Sequence, residues 1–148
     1  MLSMKVLIIT IQFLLLLTLS ACSRQFKIAK VVPGKTHVDD ALKLLEEPIY
    51  AEVSTLQRGS EIYIWDDVSV QISNEMVTAV HRKPASHEET LQFWHQYYKD
   101  ADKNFVKVKN TYDTGEELWQ LNLPHYGLSV LYDERNDKVL KVVKYEIK

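Results

Sequence analysis

The chain has 148 residues, with 18 Lys+Arg against 20 Asp+Glu, 46% apolar and 26% charged residues. That length fits one domain or two very small units packed together, and the composition is that of a folded globular protein. The near-neutral balance, without a basic cluster, argues against nucleic acid as a partner, and the single cysteine, Cys22, excludes an internal disulfide.

Met1 to Lys5 is a short, singly basic start, and residues 6–19 form an apolar run without an acid. A bilayer-spanning helix needs roughly 20 apolar residues, so the run is short for a permanent span and suits the apolar region of an export signal. Leu19-Ser20-Ala21-Cys22 follows. Small residues there let the chain lie extended in a peptidase groove, and a cysteine at the first mature position offers a thiol to lipid. The segment resembles the bacterial lipobox. The resemblance implies cleavage between Ala21 and Cys22, diacylglycerol on Cys22 and acylation of the new amino terminus. The alternative is an ordinary signal peptide or short anchor with an incidental cysteine. Loss of residues 1–21 would leave 17 basic against 20 acidic residues, a net charge of −3. Ser23, where the retention signal has Asp, implies the outer membrane if the cell is Gram-negative.

Residues 22–33 read as a tether without helical periodicity. They would let a body starting at Gly34 stand at most about 40 Å from the membrane. Thr36, with Asp39 three residues on, predicts a capped helix start, and Val38, Ala41, Leu42 and Leu45 lie on one helical face. Pro48 is expected to stop the helix. Extended segments are predicted over 49–56, 61–65, 68–73 and 76–82. Val68, Val70 and Ile72 alternate with Ser69, Gln71 and Ser73, as on a half-buried strand, and residues 73–75 read as a tight turn.

Pro84-Ala85-Ser86 is a break. A second helix is predicted over 87–99, with Thr90, Leu91, Phe93, Trp94, Tyr97 and Tyr98 on the inner half of its wheel. Glu88, Glu89, Gln92, His95, Gln96 and Lys99 fall on the outer half. Strands follow over 105–110, 117–123, 127–132 and 139–145, with 133–137 as the last turn. The order of helix then strands thus occurs twice, over residues 34–83 and 84–148. Gly59-Ser60-Glu61-Ile62-Tyr63 echoes Gly115-Glu116-Glu117-Leu118-Trp119, Ser69-Val70 echoes Ser129-Val130, and Val77 echoes Val139. The expected fold is α+β, a helix packed on an antiparallel sheet, arranged as a tandem repeat of helix plus three or four strands or as an unrepeated chain of the same layers.

Gly34-Lys35-Thr36, the capped helix, Leu44-Leu45, Pro48 and Trp65 together carry a family resemblance. The stretch 26–82 resembles the small outer-membrane lipoproteins of the BamE/SmpA type, whose pattern is Gly-x-Thr, a Val/Leu helix, Leu-Gly-x-Pro and strands with a Trp-x-Tyr-like segment. Two departures stand out: Leu45-Glu46 replaces Leu-Gly, and Asp66-Asp67 follows Trp65. Paired helix-plus-sheet repeats are also similar to the β-lactamase-inhibitor-protein-like fold. The resemblance implies a protein that binds envelope proteins and catalyses nothing.

The polar residues suggest no catalytic or metal set. Gly34-Lys35-Thr36 lacks the glycine five positions earlier that a phosphate loop needs, since residue 29 is Ala. His37, His81, His87, His95 and His125 are scattered without metal spacing. Asp133, Glu134, Asn136 and Asp137 lack the glycine of a calcium loop and read as a hairpin turn. Asp66-Asp67 reads as a bend, although paired carboxylates in a cleft could serve acid–base chemistry. Neither a cofactor nor a metal is expected. Tyr63 and Trp65 share one strand face and Ile62 and Ile64 the other, so both faces are apolar. One could meet a partner, or both could be covered within the monomer. The expectation is a lipid-anchored, non-enzymatic envelope protein contacting another envelope protein, of open oligomeric state. The alternatives are a periplasm-facing binding protein for a small apolar ligand or lipid, which requires an enclosed pocket, and an envelope hydrolase, which requires convergent ionisable groups.

Overall fold

In the computed structural model, residues 26–53, 59–108 and 118–147 are described. They form one eight-stranded antiparallel sheet with helices packed on one face. Strands β1 (Tyr50–Val53), β2 (Ser60–Ile64), β3 (Val68–Ser73) and β4 (Met76–Arg82) make one meander. A second comprises β5 (Phe105–Lys107), β6 (Leu118–Leu123), β7 (Leu128–Asp133) and β8 (Lys138–Tyr145). The spatial order is β1-β2-β3-β4-β8-β7-β6-β5, so the last strand of each meander meets the last strand of the other. The predicted units 34–83 and 84–148 therefore share a continuous sheet.

The register shows which face holds the core. Val70 stands opposite Val80, Arg82 opposite Val142, Val142 opposite Val130 and Val130 opposite Leu121. Alternation places all of these on one face. Helix α1 (Val38–Leu45) buries Ala41 and Leu45 there against Trp65, Val68, Val70, Ile72 and Val77. Helix α2 (Leu91–Tyr97) buries Trp94 against Leu121, Val130, Tyr132, Val139 and Val142. The opposite face is more polar. There Gln120, Asn122 and Ser129 hydrogen-bond one another at 2.8–3.0 Å, which satisfies the buried Ser129 hydroxyl.

Each meander also carries one register shift, between Gln71 and Ile72 and between Leu131 and Tyr132. The sequence echo sets Tyr63 beside Trp119. The register instead sets Tyr63, opposite Val70, in the position of Leu121, opposite Val130.

Several local expectations are corrected. Residues 26–33 are not all tether: 26–29 are helical, and Ile28 and Val31 are buried in the first core cluster. Thr36 does not cap α1, because its Oγ1 accepts the Val32 N–H at 2.8 Å and its backbone pairs with Val77. The cap is His37, whose Nδ1 accepts the Asp39 N–H at 3.3 Å. Helix α1 ends at Leu45, before Pro48, with Glu46 at φ 69°, ψ −168°. That conformation suits glycine. The second predicted helix is broken into a 3₁₀ turn, Ser86–Glu88, and α2. Glu88 is buried and Tyr97 is 64% exposed, the reverse of their places on a continuous wheel. The echoing segment 115–117, and the ends of two predicted strands at 54–56 and 109–110, lie outside the described residues.

Candidate functional site

The junction of the two meanders carries a half-open cleft of about 410 Å³. Val80 lies opposite Lys144 and Arg82 opposite Val142, so Arg82 and Lys144 rise from neighbouring strands onto the helix-bearing face. Ile28, Val80 and Leu128 give the cleft apolar lining, and Trp94 and Tyr98 line it from the α2 side. Pro84 ends β4 and the Ser86–Glu88 turn carries the Glu88 carboxylate back over the strand. It accepts Arg82 Nη1 at 2.5 Å, Arg82 Nη2 at 2.8 Å and the Ala85 N–H at 2.9 Å. Burial by itself would raise the Glu88 carboxyl, but these hydrogen bonds and the Arg82 charge outweigh it and hold the pKa below the ordinary value. The pair is therefore ionised at neutral pH. Trp94 Nε1–H donates to the Glu88 carbonyl at 2.9 Å and the Trp94 ring stacks on Tyr98 at 5.3 Å. Burial, then the Glu88 charge, pushes the Tyr98 phenol up, so it remains a neutral hydroxyl.

A second cleft, of about 290 Å³, is lined by Asp66, Asp67, Ser69, His81 and Lys141 among others. Ser69 and His81 are direct cross-strand neighbours. Burial, then the Lys141 charge, lowers the His81 pKa, which favours the neutral imidazole. Among the described residues, no group of three or more metal-ligating side chains converges.

The sheet edges differ. Every residue of β1 is exposed, and Ile49, Tyr50 and Val53 are 62%, 53% and 72% accessible. The β5 edge exposes Val106, but Lys107 lies beside it with its ammonium over the Trp119 ring.

The residues singled out from sequence are dispersed. Ala21 and Cys22 lie outside the described residues. Trp65 follows β2 and is buried under α1, which removes it as an interface residue; its Nε1 has no hydrogen-bond partner. Tyr63 packs partly against the same core and its hydroxyl donates to Glu61 at 3.0 Å. The α1 layer covers this strand face because α1 and β2 belong to the same meander. His37 caps α1, His95 is exposed on α2, and His87 meets the Phe93 ring edge-on at 5.0 Å. The acidic turn is structural: Asp133 accepts from Arg135 N and Asn136 Nδ2, and Asp137 from the Tyr132 hydroxyl. The sequence reading missed Arg82, Glu88 and Lys144. The only signal for Glu88 was its place beside the Pro84 break, where a helical wheel does not apply.

Neither a protein-family model nor a curated protein matches the chain. Among solved structures it is similar to an extracellular protein containing an SCP domain from Bacillus anthracis str. Ames, with a TM-score of 0.53 and 15% identity. The match covers 80% of this chain and 45% of that one, so the chain corresponds to under half of its neighbour's length. At that identity the likeness concerns the fold alone. No helix among the described residues is long and apolar enough to cross a membrane.

Proposed function

We propose that the chain is a lipid-anchored, non-enzymatic cell-envelope protein that contacts another envelope protein through the β1 edge. The observation that carries the contact is the exposed edge itself. Exposed edge strands offer unpaired backbone groups to another chain, and proteins blunt them with charged residues, above all lysine, with proline or with bulges. Among the described residues, Tyr50–Val53 carries a single charge, Glu52, and no lysine, proline or bulge, and it exposes Tyr50 and Val53 next to Ile49.

Anchoring rests on Leu19-Ser20-Ala21-Cys22, as in the BamE/SmpA-type lipoproteins, with the outer membrane as the site in a Gram-negative cell. Since Ile28 is already in the core, three residues separate lipid-bearing Cys22 from the helical segment at 26, a reach of about 14 Å over four residue steps. The body is held close to the membrane rather than on a long tether.

A tandem duplication of helix plus four strands belongs to the same reading. Register partners recur at similar offsets: Val70–Val80 answers Val130–Val142, 60 and 62 residues on, and the two register shifts lie 60 residues apart. The β4–β8 pairs are reciprocal, Val80 with Lys144 and Arg82 with Val142, as a two-fold relation between meanders requires. The central cleft favours a second activity, ligand binding, considered below.

The test is in the native envelope, with a photo-crosslinking residue at position 52 and the pair Tyr50→Lys, Val53→Lys. We expect a discrete adduct that the lysine pair abolishes and that Val106→Lys, on the other edge, leaves intact. An adduct indifferent to the lysine pair would refute β1 as the contact.

A further inference from the structure

We propose that the cleft over the β4–β8 junction binds an amphipathic monoanion, a carboxylate on an apolar body, about a dozen non-hydrogen atoms in all. This stands on residues separate from the β1 edge and does not depend on the protein contact.

The argument is an account of unspent hydrogen bonds. Arg82 has five N–H donors, of which two meet Glu88 and one the Lys83 carbonyl at 3.1 Å, leaving two. Lys144 is half-buried, and its ammonium has no hydrogen-bond or ion-pair partner among the described residues. The Tyr98 hydroxyl is protonated and likewise unpartnered. The acceptors are already used: Glu88 takes three donors on its carboxylate and Trp94 Nε1 on its carbonyl. What the cleft lacks is an acceptor. Arg82, Lys144 and ionised Glu88 leave one uncompensated positive charge, which a monoanion balances and a phosphate dianion exceeds. Ile28, Val80, Leu128 and Trp94 give the rest of the ligand an apolar wall. At about 30 Å³ per water molecule, a cleft of 410 Å³ has the volume of roughly fourteen waters, room for a ligand of a dozen or so non-hydrogen atoms, and lies within the usual range of ligand pockets.

The test uses the full chain in phosphatidylcholine nanodiscs and three water-soluble probes, titrated by ligand-detected NMR. These are 4-phenylbutyrate, the matching neutral alcohol 4-phenylbutan-1-ol, and inorganic phosphate. The acid should bind at least about tenfold more tightly than the alcohol, the size of one charge-assisted hydrogen bond, and phosphate should bind more weakly than the acid. Lys144→Gln should bring the acid down to the level of the alcohol without changing the alcohol. Ala29→Trp, at the exposed rim, should weaken both organic probes and provides a second variant that leaves the charges in place. Equal binding of acid and alcohol would overturn the proposal. So would phosphate binding as well as the acid, or an acid preference that survives Lys144→Gln in a protein with unchanged thermal unfolding.

Discussion

Replacing Trp94 by Ala should remove a large share of the stability of the second half of the sheet. The side chain is 1% exposed, is stacked on Tyr98 at 5.3 Å and meets Phe93 edge-on at 5.4 Å. Emptying a buried Trp site costs about 3–5 kcal/mol. Here the indole N–H also satisfies the Glu88 carbonyl at 2.9 Å, and an orphaned buried acceptor adds about 1–3 kcal/mol where water cannot reach it. Truncation joins the emptied site to the cleft that Trp94 lines, so water can replace the indole donor, and the loss should fall at the upper end of the first range, about 4–5 kcal/mol. Trp94→Phe keeps a ring and loses the N–H, and should cost about 1–2 kcal/mol. Tyr97, three residues along but 64% exposed, is the control: Tyr97→Ala should change stability by less than about 0.5 kcal/mol. Urea unfolding of the full chain, read from the midpoint at constant slope, measures all three. A Trp94→Ala loss under about 1 kcal/mol, or one matched by Tyr97→Ala, would refute the placement of α2 on the sheet.

The Glu88–Arg82 pair makes acid stability a second readout. The folded-state pKa of Glu88 is depressed, so its contribution is complete above the ordinary glutamate range near 4.3 and is lost as pH falls through the lower folded value. Melts from pH 6 to pH 3 should lose stability below about pH 4.5, and Glu88→Gln should flatten that limb; parallel limbs would contradict the clamp. Gly127, at φ +60°, would bring an alanine Cβ to 2.6 Å from the Tyr145 carbonyl, whereas at Gly59, φ +81°, a Cβ meets nothing within 4 Å. Gly127→Ala should therefore cost well over the roughly 1 kcal/mol of conformational strain expected for Gly59→Ala, by thermal unfolding. Mass spectrometry of the mature amino terminus should find diacylglycerol and an acyl chain on Cys22, and Cys22→Ser should abolish both. Because one chain holds a protein only marginally and each buried CH₂ contributes about 0.8 kcal/mol, unmodified Cys22 would leave the anchoring reading without support.

Much of the local structure was legible in residue order. The Val68–Ser73 alternation marked a strand whose apolar members are all buried, and residues 73–75 contain the positive-φ turn at Asn74 and Glu75. Trp94 was assigned inward and is buried. Helix boundaries were less legible because competing partners lie elsewhere in the chain. Thr36 bonds Val32 and pairs with Val77 instead of capping, and Glu88 is turned inward by Arg82 of β4. Ile28 and Val31 are too few to set a period, so their burial was invisible in a segment read as tether.

Residue order by itself determined the α+β alternation and which side of most strands is apolar. These depend on hydrophobic period and on short backbone hydrogen bonds, whose partners are near in the chain. Only the tertiary structure decided that β4 pairs with β8, that α1 covers Trp65, and that Arg82, Glu88 and Lys144 gather in one cleft. Arg82 and Lys144 are 62 positions apart and come together only because two meanders join edge to edge. That junction is selected by the packing of both apolar faces at once, a non-local balance that no local pattern records.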